Sequence, residues 1–426
     1  MKKLKTRIRV YFQDALAPDA SRSQRFFAFL NLLLPVFTGM YVFINTLPLS
    51  AISGVLFYFS VVVLLFLILF KKTDFTLHWP LTLPFALFLI WVIVGLFFAL
   101  DLKNSIHDIR THLLEYLIIF YLLVNYFNSR KKLETLSWII ILSVALFSVG
   151  AIIVYYFIEG HPFNARLGKN FRVMYTGTMV IVTVASIPLM LNKLYQSNKL
   201  SSRLFLGFCI LITTMATLLS QARAALISLM TAILILCLNK KRNIIFVVIA
   251  LLFMVAIPGV RDRVIRKGFD DVRSKINCLF MEVIKDYPVT GVGFGIQIYT
   301  NENIIDLKKY NQKLPKDYQQ PTNHIINSPH NTFLDIAVRT GIIGLILFLS
   351  VLMVAVFMLL QIWGKARNIY YRSWAVCLLA CLASIMVQAL VHDLYYPSSI
   401  ALYTILAMIT IIWNLARKDQ AAPQDT

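Results

Sequence analysis

Ser328-Pro329-His330-Asn331-Thr332-Phe333-Leu334-Asp335-Ile336-Ala337-Val338-Arg339-Thr340-Gly341-Ile342-Ile343-Gly344 marks the place where this chain changes solvent. Upstream lies an irregular polar stretch rich in Asn, Gln, Lys and Pro. Downstream, from Gly341, runs an apolar segment of the length an α-helix needs to cross a hydrocarbon core, roughly 20 residues. Ser before Pro is a helix-start signal, with Ser as N-cap and Pro in the first helical position, so the spacing predicts His330 and Asn331 in the first turn. There the partial positive charge of a helix N-terminus favours a neutral imidazole, able to accept a proton, and attracts anions such as phosphate. From these residues alone His330 reads either as a general base or as a histidine that completes a helix end at the interface.

Apolar runs recur along the rest of the chain. Of its 426 residues, 59% are hydrophobic and 14% charged, and the mean hydropathy is +0.73, too apolar for a soluble globular protein. About twelve runs bounded by polar or basic clusters predict an all-α polytopic membrane protein. The expected organisation is an N-terminal tail over 1–25, nine spans over 26–258, a long loop over 259–340, three spans over 341–414 and a C-terminal tail over 415–426. Among the spans, the fourth is expected near 113–127 and the ninth near 244–258.

Lys2, Lys3, Lys5, Arg7 and Arg9 crowd the first tail, and Lys71-Lys72, Arg130-Lys131-Lys132, Lys240-Lys241-Arg242 and Arg417-Lys418 fall on alternate connections. The positive-inside rule then puts both termini in the cytoplasm and the long loop outside. No cleaved signal peptide is expected, since the first apolar run is too long for one. This topology explains most of the net charge of +21; the basic residues lack the aromatic interleaving of a nucleic-acid surface. Cys209, Cys237, Cys377 and Cys381 lie in expected spans and Cys278 stands alone in the loop, so no disulfide framework is expected.

Three groups of polar residues could carry chemistry. Arg223 ends the very short turn Ser220-Gln221-Ala222-Arg223 on the outer side, against the charge bias, and reads either as a snorkelling headgroup contact or as an anion ligand. In the loop, the amphipathic pattern over Val260 to Asp286 carries Arg266 and Arg273 seven residues apart, with Asp270 between them at pairing distance of both. That face is either solvated or an anion site, and planar guanidinium forks suit pyrophosphate oxygens. The third group gathers at the outer ends of spans: His107, Asp108, Arg110, His112 and Glu115; His161, Arg166, Lys169 and Arg172; Gln388, His392, Asp393, Tyr395 and Tyr396. These line an outward cavity or solvate loops. Gly291-Val292-Gly293-Phe294-Gly295 lacks the spacing and the preceding strand of a dinucleotide site and reads as a turn. With no P-loop, H-E-x-x-H, nucleophile elbow or Asp-rich pair, no metal, ATP or nicotinamide cofactor is expected.

His330-Asn331, nine residues, then Gly341-x-x-Gly344 resembles the pattern of bacterial O-antigen ligases, in the wider group that includes O-antigen polymerases. Pro288-Val289-Thr290-Gly291-Val292-Gly293 is similar to the Pro-x-x-Gly-x-Gly segment that precedes it in that family. Arg223 and Arg273 match its two arginines, although Ile227 stands where members often have leucine. The resemblance implies a fold of about 12 transmembrane helices, GT-C-like, with a periplasmic loop between spans nine and ten, in the bacterial inner membrane. It implies transfer of a glycan from undecaprenyl pyrophosphate to a lipid A-core sugar hydroxyl, with inversion and without a cofactor. His330 would be the base, while Arg223, Arg273, Arg266 and Asn331 would hold substrate. The nearest alternative is an O-antigen polymerase using the same donor. A transporter or flippase is the alternative of another class, expected to place ionisable residues at mid-span or to show broken inverted repeats.

Overall fold

The computed structural model describes residues 21–47, 49–168, 176–238, 245, 271–321, 325–394 and 398–421. Among these all regular structure is helical. The first helices are α1 (Arg22–Asn45), α2 (Ser50–Leu69) and α3 (Thr82–Val94), the last continued by a 3₁₀ turn to Phe98. Next come α4 (Leu102–Asp108), a π-helical turn (Ile109–Leu114), α5 (Glu115–Tyr126) and α6 (Arg130–Ile152). They are followed by α7 (Thr176–Gln196), α8 (Leu200–Leu219) and α9 (Arg223–Cys237). After α10 (Asp271–Asp286) and α11 (Leu307–Lys313) the chain ends in α12 (Thr332–Lys365), α13 (Ile369–Ala389) and α14 (Ser398–Ala421).

Eight helices are long and apolar enough to span a bilayer, with Thr82–Phe98 and Arg223–Cys237 as shorter apolar ones. This is a multi-pass all-α membrane protein. Every expected span falls on a helix except the ninth, which apart from residue 245 lies outside the described residues. On α2 the side chains of Val55, Phe59, Val62, Leu65 and Leu69 are each more than half exposed, a surface suited to lipid. The fourth span differs from expectation. It is the end of a longer helical run that starts at Leu102, because Asp101 caps α4 by accepting from the Asn104 N–H at 2.9 Å.

Two sets of contacts define the ends of the bundle. At one end Arg130 donates to Tyr371 Oη at 2.7 Å and pairs with Asp419 at 3.3 Å, while Glu134 binds Tyr370 and Lys193. These tie the start of α6 to the end of α7, the start of α13 and the end of α14. Near the other end Ser228 Oγ donates to the Ser384 carbonyl at 2.9 Å and Gln388 Nε2 to Ser228 Oγ at 3.3 Å, so α9 begins beside the end of α13.

The described residues of the segment 271–331 build a small core of their own. Ile276, Leu279, Phe280 and Val283 follow helical spacing on α10 and bury against Ile298, Tyr299, Leu307 and Leu314, and against Leu334, Ala337 and Val338 of α12. The polar stretch before Ser328, expected to be irregular, holds α11, capped by the Asp306 carboxylate on the Lys308 and Lys309 N–H groups.

α12 is interrupted at Gly341, where φ is +70°. The break leaves backbone groups that need partners away from water. The segment after α10 supplies them: Val292 N–H donates to the Val338 carbonyl at 2.9 Å, Gly293 N–H to that of Arg339 at 3.1 Å, and Ile342 N–H to that of Pro288 at 2.8 Å. The indole of Trp91 donates to the Thr340 carbonyl at 2.8 Å. Gly291 and Gly341 face each other across this joint, and a Cβ on either would overlap backbone of the partner segment. The two glycine motifs of the sequence are thus the halves of one contact. Gly341→Ala should destabilise the protein by about 1–3 kcal/mol, whereas Gly364→Ala, with nothing within 4 Å of the added carbon, should be neutral or slightly stabilising. Denaturation of the detergent-purified variants measures the difference.

Candidate functional site

Asn331, not Ser328, caps α12. Its Oδ1 accepts from the N–H groups of Phe333 and Leu334 at 3.1 and 3.2 Å, and the helix starts at Thr332. The expectation that Ser328 caps and Pro329 opens the helix is therefore corrected: His330 lies immediately before the cap, not in the first turn. The reason is tertiary. Ser328 Oγ is drawn away to Asp393, to which it donates at 2.5 Å, leaving the capping role to the next residue able to fill it.

His330 has φ of +49°, a left-handed backbone uncommon outside glycine and costing of order 1–3 kcal/mol unless its surroundings enforce it. Asp393, between α13 and α14, does the enforcing. Its Oδ1 accepts from the Asn331 N–H at 3.1 Å, and its Oδ2 takes the Ser328 hydroxyl and faces His330 Nδ1 at 3.4 Å. Thr332 adds a second link, donating to the His392 carbonyl at 2.8 Å and accepting from the Leu394 N–H at 3.0 Å. The carboxylate is buried, with 6% of its side chain exposed, while that of His330 is 48% exposed. One ring nitrogen thus turns toward a buried carboxyl group, and the ring remains open to an approaching molecule.

Arg273 reaches this place along α10. That helix returns beside the first part of α12 from the joint at Pro288 and Ile342. Arg273 lies about 20 Å from its end, beyond the roughly 15 Å that separates Ile342 from Thr332 at 1.5 Å per residue. It therefore overhangs the start of α12. The electrostatics of His392 agree: burial first, and then the Arg273 guanidinium, His330 and Arg166, push this imidazole down to about 4 against the opposing pull of Asp393.

Arg166 also donates through Nε to the Ser220 carbonyl at 2.9 Å, in the turn that precedes Arg223. Gln221 Nε2 donates to the Asn164 carbonyl at 3.0 Å and closes the same turn. Arg223 is the first residue of α9, five before Ser228, and Asp393 lies five past Gln388. The hydrogen bond between Ser228 and Gln388 puts these two ends at a similar height. Arg223, Arg166, Arg273, His330, His392 and Asp393 therefore occupy one end of the bundle. Asn331 stands there too, its amide oxygen engaged in the cap. Arg266 and Asp270 lie outside the described residues.

Below the histidine a cavity of about 70 Å³ is lined by His112, Thr332, Asp335, Arg339, Leu394 and Tyr403, among others. Its polar wall is already ordered. Asp335 accepts from Tyr299 Oη at 2.8 Å and Arg339 Nη1 at 3.2 Å, and the Arg339 guanidinium binds the Phe294 carbonyl and lies 4.1 Å from that ring's centre. Asp108 in turn accepts from the Ile296 N–H at 2.6 Å. These contacts brace the loop segment against α4 and α12 under the site.

Asp393 and Arg166 were visible in the sequence only as members of a polar group at the outer ends of spans. The signal that could have raised Asp393 is an acidic residue next to a histidine in a short interhelical connection, which is weak by itself. A family model described as O-antigen ligase matches residues 208–349, about a third of the chain. The matched stretch runs from α8 into α12; it contains Arg223, Arg273 and His330 and stops short of Asp393. The match supports a place for this chain in that family. No curated protein matches the chain.

A lowered folded pKa for His392 sets the direction of a pH effect. The unfolded chain binds its proton near the ordinary value of 6.5 and the folded one only near 4, so folding is favoured above 6.5 and this contribution is lost as pH falls through that window. The thermal midpoint of the purified protein should drop between pH 6.5 and 4, and more steeply than that of His392→Asn. Equal slopes for the two proteins would show that His392 is not the group responsible.

Proposed function

We propose, with that family match as premise, that this chain is an O-antigen ligase. It transfers a glycan from undecaprenyl pyrophosphate to a sugar hydroxyl of lipid A-core, at the periplasmic face of the bacterial inner membrane. The observation that carries the reading is the exposed imidazole of His330, held in a left-handed backbone against buried Asp393, at the end of the bundle where Arg273 and Arg166 act on the neighbouring His392. The alternation of basic clusters supports an outward orientation for that end.

The chemistry follows from these groups. With Nδ1 toward Asp393, Nε2 of His330 takes the proton of the acceptor hydroxyl as its oxygen attacks the anomeric carbon. The bond from that carbon to the pyrophosphate oxygen breaks on the opposite face, so the configuration inverts. Charge gathers on the leaving pyrophosphate, where Arg223 and Arg273 meet it with planar paired donors. Arg166 adds a further cation, and Arg266 completes the set. Asn331 keeps its amide nitrogen for substrate. Asp393 acts through His330 by fixing the ring's orientation and stabilising the imidazolium that forms. Cleaving the pyrophosphate linkage supplies the driving force, so no nucleotide is required.

In a reconstituted assay with lipid-linked donor and lipid A-core, His330→Ala should slow transfer by about 10²–10⁴-fold and Arg273→Ala by about 10²–10³-fold. In cells, His330→Ala should leave polymer on undecaprenyl pyrophosphate and bare lipid A-core. Single repeats on the core would indicate a polymerase instead, and a full-length ladder would sink both assignments. Donor that crosses the bilayer without forming a covalent product would mark a transporter.

A further inference from the structure

On the outside of the bundle, α1 and α6 leave a groove of about 430 Å³ between them, within the roughly 300–1,000 Å³ range of small-ligand pockets. Its walls are apolar, with Pro35, Val36, Met40 and Phe43 on one side and Ile139 and Phe127 on the other. Gly39 keeps it open: a Cβ there would press on Ile139 Cδ1 at 3.0 Å and approach Phe127 Cζ at 3.6 Å. The two helices run in the same direction, since Gly39 faces Ile139 and, four residues further along each helix, the Phe43 carbonyl accepts from Ser143 Oγ.

The single charged residue of the groove wall is Lys132, which lies at the end where Arg130 and Lys193 also gather. Those neighbours are committed, Arg130 to Tyr371 and Asp419 and Lys193 to Glu134. Lys132 Nζ makes no hydrogen bond or ion pair among the described residues. An apolar channel open to the hydrocarbon, ended at the level of the headgroups by an ammonium with no partner among the described residues, suits a lipid that carries net negative charge.

We propose that this groove binds an anionic phospholipid. One acyl chain lies along Gly39 between α1 and α6, and the headgroup phosphate pairs with Lys132 in the first turn of α6, where the helix N-terminus adds positive potential. A zwitterionic lipid is held less well because its own ammonium competes for the phosphate. The assignment is independent of the glycosyl-transfer reading.

Native mass spectrometry of the full-length protein, exchanged into detergent with equal phosphatidylglycerol and phosphatidylcholine, tests it. The wild type should retain phosphatidylglycerol over phosphatidylcholine by about fivefold. Lys132→Gln should bring the ratio near one, Gly39→Val should reduce retention of both lipids, and Lys131→Gln, one residue away from the groove wall, should change neither. An undiminished preference in Lys132→Gln, or no preference in the wild type, overturns the proposal. So does preferential retention of added undecaprenyl phosphate, which would assign the groove to a polyprenyl chain.

Discussion

Asp393 takes the Ser328 hydroxyl and the Asn331 N–H while facing the His330 ring, and so it joins three residues at the start of α12 to the connection between α13 and α14. A buried carboxylate is costly to desolvate unless its oxygens find donors, and here both oxygens do. The same contacts hold His330 in a backbone region that a side chain enters only under constraint. Removing the carboxylate would free the ring and at the same time release the backbone that aims it. The position of the imidazole is therefore a property of the interhelical contact more than of the local sequence.

The joint at Gly341 does complementary work one segment lower. By interrupting α12 it separates a membrane part from a first part whose outer side, Leu334, Ala337 and Val338, belongs to the core of the loop segment. The hydrogen bonds from Val292, Gly293 and Ile342 close the gap. α10 is then fixed at its lower end, and its upper end, with Arg273, is carried toward His330 by a rigid helix. A charged group on a rigid element keeps its place without a further ordering cost.

Much of this was legible in the residues. The apolar runs named the helices, since length and hydropathy alone decide whether a segment can cross a bilayer. Arg223, Arg273 and His330 stood out by residue type and placement. The helix start was misread because Ser-Pro is a sound local signal, and only a partner 65 residues away takes Ser328 out of competition. Asp393 was passed over for the same reason: its meaning lies in contacts across 62 residues or more. Arg166 likewise looked like one more outer-loop cation until its bond to Ser220 and its action on His392 were known. Long-range pairing is what a single sequence does not display.

The distance along the chain between His330 and Asp393 has a consequence for biosynthesis. A nascent chain emerges N-terminus first, so α12 and the whole loop segment are made before the carboxylate that orders the imidazole exists. Until α13 has inserted and the connection to α14 has followed it, His330 has no reason to keep its left-handed backbone. The imidazole reaches its ordered position only once the connection between α13 and α14 is in place, long after its own segment has been made.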